Sequence, residues 1–398
     1  MKISNKLFIT IVFIVVLSFV NSNNICGQNN KITFPKVDIN IENNIQLFPK
    51  HFLKLYDTIK ITFIGDVMQH GNQLRSALEP GKNPNKAESY NYKNAFKYIE
   101  HYLKDADIAA ANMEFTLGSI PYKGYPLFSA PETIAYQAKE SGINLFLLAN
   151  NHILDRGKIG LEKTLTIYDK IGVKYIGAYH NKKEELKNNP VIFNIKGSKI
   201  AFINFTYSTN GINNTPPHVI NMMDSSHVKE CIARAKKAKA DIIIAAPHWG
   251  EEYKLHPSNE QKEWAKMLLR EGVKVIIGSH PHVPQAAEIT NEHIIFYSLG
   301  NYITNQSNPD YTQLELLVTI LLERDNITGK IRLLNPEYDL LWCFKKGEFI
   351  NDYTVVPIKD IKEDSVPNNY QYKRMLRTYN KFLEKNLIKN NFISIIKH

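Results

Sequence analysis

Short apolar runs alternate with amphipathic stretches along most of the chain, and six of the runs end in side chains able to bind a metal or move a proton. Residues 61–66 end in Asp66, residues 107–114 in Asn112 and Glu114, and residues 145–152 in Asn150, Asn151 and His152. Residues 242–250 deliver His248, residues 276–283 deliver His280 and His282 around Pro281, and residues 294–301 deliver Asn301. A buried parallel strand reads as a continuous β-branched run, and the ligand crevice of an open α/β sheet lies beyond the strand carboxyl ends. The pattern therefore predicts strands whose polar tips meet at one edge.

Amphipathic stretches at 92–105, 131–141, 160–171, 227–240 and 258–271 separate these runs, which is the signature of a layered α/β domain. Strand-like runs follow one another without a helix at 190–206 and 314–338, predicting antiparallel additions to a mixed sheet or a second sheet. The Asn- and Pro-rich segment 210–217 reads as a loop able to cover the strand ends, and 369–387 as a basic terminal helix. The resulting division is a signal peptide at 1–27, a linker or peripheral segment at 28–58, the main domain at 59–310, and C-terminal strands and a helix completing it at 311–398.

The signal reading rests on Lys2 and Lys6 before an apolar stretch at 7–20, followed by small and polar residues. It implies export to the periplasm, cell surface or membrane; Cys26 follows Asn23, Asn24 and Ile25, a poor lipidation motif. The 398 residues hold three cysteines, so beyond Cys26 only Cys231 and Cys343 remain, too few for a disulfide scaffold or a cysteine-ligated zinc. The formal charge of +10 suits an anionic partner or a solvated lysine-rich surface. Nucleic-acid motifs and a Gly-rich phosphate loop are both missing, which argues against nucleic-acid binding and ATP-driven ligation.

Carboxylate, imidazole and amide oxygen are the donors a metal-assisted hydrolase needs around an open coordination position. Asp66 follows a glycine that permits a tight exit from its strand, and a Gly-Asp pair alone is as readily a turn. His280 and His282 project together only if the chain turns sharply after Ser279. Asn150, Asn151, His152 and Asp155 offer an amide ligand, an imidazole acid and a carboxylate to orient it, or simply a helix start. Glu114 either ligates through its longer arm, supported by Asn112, or is an ordinary glutamate.

Six motifs in order, GDVMQH, NMEFTLG, NNHILDRG, HWGEEY, GSHPHVPQ and YSLGNYITNQ, closely resemble the CapA family of capsule-synthesis proteins, over roughly residues 59–306. That family is associated with poly-γ-glutamate capsules and is similar to the calcineurin-like metallophosphoesterases. The resemblance implies an α/β four-layer αββα sandwich, with two mixed sheets flanked by helices and one or two divalent metals (Mn, Fe, Zn or Mg) between the sheet ends. It implies Asp66, Glu114, Asn151, His248, His280 and His282 as ligands and His152 as the catalytic imidazole, which the residue reading backs with Asp155. His70, Asn112, Asn150, Glu252 and Asn301 fall in supporting or substrate-facing positions. One departure stands out: a phosphoesterase has histidine two residues after its first aspartate, and this chain has Met68, a poor ligand for hard ions.

Two functions follow. One is an exported metal-dependent hydrolase of poly-γ-glutamate or another anionic envelope polymer, in which metal-activated water attacks and His152 protonates the leaving group. The other is a noncatalytic factor that binds the polymer or a membrane synthase. A plain phosphodiesterase unrelated to capsule is disfavoured by Met68.

Overall fold

The computed structural model describes residues 55–385, 387 and 388; the expected signal peptide, with Cys26, and nearly all of the 28–58 segment lie outside them. The first of two large sheets is built on Tyr56–Val67, with Ile108–Met113, Leu145–Leu147 and Lys174–Ile176 following in parallel on one side. On the other side Leu314–Asp325, Glu337–Phe344 and Thr354–Pro357 add antiparallel strands. The second sheet is ordered Ala287–Ile289, Ile294–Phe296, Val275–Ile277, Ile242–His248, Ser198–Thr206, Val191–Ile195, parallel through its centre with an antiparallel strand at each edge.

Side-chain alternation shows how the sheets stack. In Tyr56–Val67, Ile59, Ile61 and Phe63 join a core shared with Ile200, Phe202, Ile242 and Ile244 of the second sheet, while Ile64 and Val67 face the other way. In Ile242–His248, Ile243 and Ala245 face outward to Val228, Ile232 and Leu268 of two helices, Ser225–Lys237 and Asn259–Arg270. The outer face of the first sheet packs on Thr133–Glu140 and Gly157–Ile171 through Ile134, Ala138, Leu161 and Leu165. Three apolar layers thus separate helix, sheet, sheet and helix, the four-layer sandwich the sequence implied. Because both faces of each sheet are buried, the central strands are mostly apolar, as in Ile242–His248 and Leu145–Leu147.

The helices start and stop where local chemistry dictates. Ser258 caps Asn259–Arg270 in a reciprocal box with Gln261, and Gly172, at φ +67°, ends Gly157–Ile171. The 92–105 stretch breaks into Lys93–Phe96 and Glu100–Asp105, because Ile99 is fully buried with φ −114° and ψ 0° and leaves the helical conformation between them. No helix among the described residues is long and apolar enough to cross a membrane.

Asn204 ties the two sheets together. Its buried Oδ1 accepts from the backbone N–H groups of Leu148 (3.1 Å) and Ala149 (2.8 Å) at the end of a first-sheet strand. Its Nδ2 donates to the Ala246 carbonyl at 2.7 Å within the second sheet. Asn204→Leu removes all three bonds and is expected to cost about 2–4 kcal/mol, since a buried polar group left without a partner costs about 1–3. Urea unfolding with the m-value unchanged is the check, and a loss below about 0.5 kcal/mol would mean the clasp is dispensable.

Candidate metal centre

The six polar tips divide between the two sheets, and the strand ends converge. Asp66 leaves its strand through irregular register on both neighbours, Ile108–Met113 and Asn301–Ile303. That departure needs Gly65: a Cβ there would lie 2.0 Å from the Gly300 carbonyl oxygen. The Gly65 N–H donates to Glu315 Oε1 at 2.6 Å, fixing the peptide that aims Asp66. Burial holds the Glu315 carboxyl well above the usual carboxylate range, the Gly65 hydrogen bond opposing the rise.

His280 and His282 both sit in the left-handed region, at φ +97° and +58°, on either side of Pro281. That backbone is costly for a residue with a Cβ and persists where surrounding structure imposes it. Here it turns both rings inward: they are 2% exposed, with centroids 5.9 Å apart. The His280 N–H donates to Asp66 Oδ2 at 3.2 Å, and His282 Nδ1 lies 3.2 Å from the same oxygen.

Asn112 is the hub between the carboxylates. Its Nδ2 donates to Asp66 Oδ1 at 2.8 Å and to Glu114 Oε2 at 3.0 Å, while its Oδ1 accepts from Asn150 at 3.2 Å. Glu114 Oε1 lies 3.7 Å from both His248 Nε2 and His282 Nε2. Burial, reinforced by Asp66, pushes the Glu114 carboxyl well above its ordinary range. His248 is held by Ser279 Oγ at 2.9 Å on Nδ1 and faces Asn151 Oδ1 at 2.9 Å on Nε2. Burial lowers the pKa of His248 and of His280 well below the usual imidazole value, which keeps both in the neutral, ligating form.

Three overlapping groups therefore have donor atoms within 4.8 Å of one another: Asp66, Glu114 and His282; Glu114, His248 and His280; and Glu252, His280 and His282. Glu114 Oε1, His280 Nδ1 and His282 Nδ1 are buried without hydrogen-bond partners. Such atoms are expensive unless something satisfies them. A nitrogen and carboxylate donor set of this kind suits a divalent ion of the Zn, Fe or Mn type, so the residues fit a metal centre.

A cavity of about 370 Å³ opens beside the cluster, with Met68, His70, Phe128, His152, Glu252 and His282 among its walls. His152 is 7% exposed; its Nδ1 sits 2.7 Å from Asp155 Oδ2, which also accepts from the Phe128 N–H at 2.7 Å. Burial raises the Asp155 carboxyl, and the His152 contact opposes the rise. His70 stands on the cavity wall outside the three groups; burial drops its pKa to about 4, and its Nδ1 lies 3.0 Å from Gln73 Oε1. Asn150 braces the Met113 carbonyl at 2.9 Å. Asn301 donates to the His282 carbonyl at 3.1 Å and so acts on the backbone of the histidine turn.

Asn204, Ser279 and Glu315 escaped the sequence reading. Each interrupts or ends an apolar run, which was the available signal. Tyr207 also escaped it: its ring lies 4.6 Å from that of His280 and 15° from parallel to that of His248. Cys231 and Cys343 are both buried and free, in separate apolar layers.

The two stacked sheets and the buried histidine–carboxylate cluster at their ends define a four-layer α/β protein with a metal-type centre. The sequence profile of the family described as "Bacterial capsule synthesis protein PGA_cap" matches residues 60–306, and the chain belongs to that family. The capsule biosynthesis protein CapA of Bacillus anthracis is 30% identical over 262 residues, 63% of this chain and 61% of that protein. The PGA biosynthesis protein CapA of Bacillus subtilis (strain 168) is 30% identical over 263 residues, 63% of this chain and 64% of that protein. The matched region thus spans less than two thirds of either relative. Among solved structures, a calcineurin-like phosphoesterase from Bacillus subtilis superposes with a TM-score of 0.43 at 14% identity, covering 83% of this chain and 99% of that one.

Proposed function

We propose that this chain is an exported, metal-dependent hydrolase that acts on poly-γ-glutamate or a related anionic polymer during capsule synthesis. The observation that carries the reading is the juxtaposition of a buried cluster bearing unpartnered donor atoms with the His152–Asp155 pair on the wall of the same cavity. Asp66, Glu114, Asn151, His248, His280 and His282 would hold the ion or ions. A bound divalent metal supplies Lewis-acid polarisation and lowers the pKa of water.

The remaining chemistry belongs to the side chains. The Asp155 carboxylate accepts from His152 Nδ1–H, which fixes the tautomer and leaves Nε2 to carry the transferable proton. Asp155 also stabilises the imidazolium, so His152 can donate from Nε2 to a departing amine or alkoxide. Its own hydrogen bond from the Phe128 N–H keeps that carboxylate from turning away. The formal charge of +10 favours approach of a polyanion.

A polymer-holding factor without catalysis has no use for an oriented imidazole at the cavity wall, and the His152–Asp155 pair supports the hydrolase reading. Asp155→Asn is expected to lower kcat about 10²-fold or more with metal content unchanged, because general acid catalysis contributes about 10²–10⁴-fold. The measurement is the shortening of poly-γ-glutamate by size-exclusion chromatography, with a phosphodiester substrate in parallel. Full activity in Asp155→Asn would remove the His152–Asp155 pair from the mechanism, whereas no cleavage by the metal-loaded native protein would move the assignment to the assembly factor.

A further inference from the structure

A second group of metal-type donors lies outside the central cluster. Val219–Ile220 pairs antiparallel with Ala178–Tyr179, Val219 opposite Tyr179, so the next positions outward, His218 and His180, are cross-strand neighbours. Beside them runs Gly157–Ile171, whose Glu162 and Asp169 are seven residues, almost two full turns, apart and therefore share a face. Two strands and a helix thus bring two imidazoles and two carboxylates together.

The contacts converge on one atom. His218 Nε2 and His180 Nδ1 lie 2.5 and 3.1 Å from Glu162 Oε2, and all three donors fall within 4.8 Å of one another. His180 Nε2 is 2.9 Å from Asp169 Oδ2, a carboxylate that accepts its N–H. With a carboxylate facing each ring nitrogen, His180 is satisfied when Nδ1 carries a cation, either a proton or a metal ion. An imidazole whose second nitrogen is tied to a carboxylate is also the usual arrangement of a histidine metal ligand. His218 is 5% exposed, and its Nδ1 has no hydrogen-bond partner, so Glu162 is the polar contact that orients its ring.

We infer that Glu162, His180 and His218 form a second, peripheral site for a borderline divalent cation such as Zn²⁺, with Asp169 orienting His180. Imidazole and carboxylate donors suit that ion, whose bonds of about 2.0–2.1 Å gather ligand atoms about 3.4 Å apart. Glu162 and Asp169 are exposed, so an ion enters directly from solvent.

The site fastens the loop that ends at His218. Within that loop the Asn214 amide donates to the His218 carbonyl at 2.8 Å, and Lys158 of the helix donates to the Pro216 carbonyl at 2.8 Å. The same loop reaches the central cluster, where Asn151 Nδ2 donates to Asn210 Oδ1 at 3.2 Å. Occupancy of the peripheral site pins the loop that touches Asn151.

The test is a competitive Zn²⁺ titration of the full chain after chelator treatment, in an Asp66→Ala, His280→Ala background that silences the central cluster. One equivalent is expected to remain, to give Co²⁺ its tetrahedral absorption on substitution, and to disappear with His180→Gln or His218→Gln. Asp169→Asn is expected to weaken it about 10–100-fold. If the background variant does not fold, the same substitutions in the native chain are expected to remove one of two classes of site. No bound equivalent in the background chain, or binding indifferent to both histidine substitutions, overturns the site. Hydrogen exchange at 208–217 is expected to slow on Zn²⁺ addition; unchanged exchange overturns the fastening role.

Discussion

Asp66→Ala is expected to lower turnover by at least about 10³-fold, roughly 4 kcal/mol of transition-state stabilisation, while the protein stays folded. Asp66 is fully buried and is the point at which both sheets meet: it accepts from Asn112 of the first and from the backbone of His280 beyond the second, beside His282. Removing it takes a carboxylate out of the donor set and frees the histidine turn at once. The fold is expected to survive in the metal-free protein, because the substitution removes a neighbouring carboxylate that, with burial, disfavours the charged form of Glu114. The diagnostic is a pair of melting curves. In a chain carrying His180→Gln and His218→Gln, divalent metal is expected to raise the Tm by binding linkage, and adding Asp66→Ala is expected to abolish that rise. A variant stabilised by metal as strongly as its parent chain, or equally active, would remove Asp66 from the ligand set.

Gly65→Ala is expected to act through the fold and to leave little soluble protein. The added Cβ meets the Gly300 carbonyl oxygen at 2.0 Å and its carbon at 2.9 Å, both backbone atoms in a buried strand pair that has no flexible side chain to yield. Relief requires separating the strands that hold Asp66 and Asn301, for a loss of about 4 kcal/mol or more. Gly71→Ala, six residues on at the start of a helix, is the control. Its Cβ finds only the Arg75 guanidinium at 3.6 Å, and the change is expected to be neutral or to stabilise by up to about 1 kcal/mol. Equal stability of the two variants would refute the close-approach argument.

The site was largely legible because a buried strand advertises itself by unbroken apolar residues, and a polar residue at its end has few purposes other than chemistry. That logic located Asp66, Asn112, Glu114, Asn151, His152, His248, His280 and His282, which the fold brings to one place. It does not assign a residue whose partner is remote in sequence. Asn204 bonds the end of a strand 55 residues earlier, and Glu315 receives the N–H of Gly65 from 250 residues away. A polar side chain inside an apolar run marks that something must satisfy it, but the partner is set only when the sheets stack. The amphipathic stretch 92–105 shows a finer limit, since Ile99, buried in a non-helical conformation, divides it into two short helices.

The four layers follow from physical pattern as well. Runs apolar on both faces call for cover on both sides, and two sheets stacked with helices outside are the arrangement that provides it here. The peripheral histidines gave no such signal, since His180 and His218 lie in polar loops and meet only through a two-residue strand pair.

The central claim is that the strand ends hold metal, and elemental analysis of the purified chain tests it most directly. The chain should carry His180→Gln and His218→Gln, so that the peripheral site does not contribute. One or two equivalents of a transition metal per chain, falling to none on adding Asp66→Ala and His280→Ala, is the result expected. A folded chain with no metal, after exposure to Zn²⁺, Mn²⁺ and Fe²⁺ in turn, would contradict the account and leave a protein that binds polymer without cleaving it.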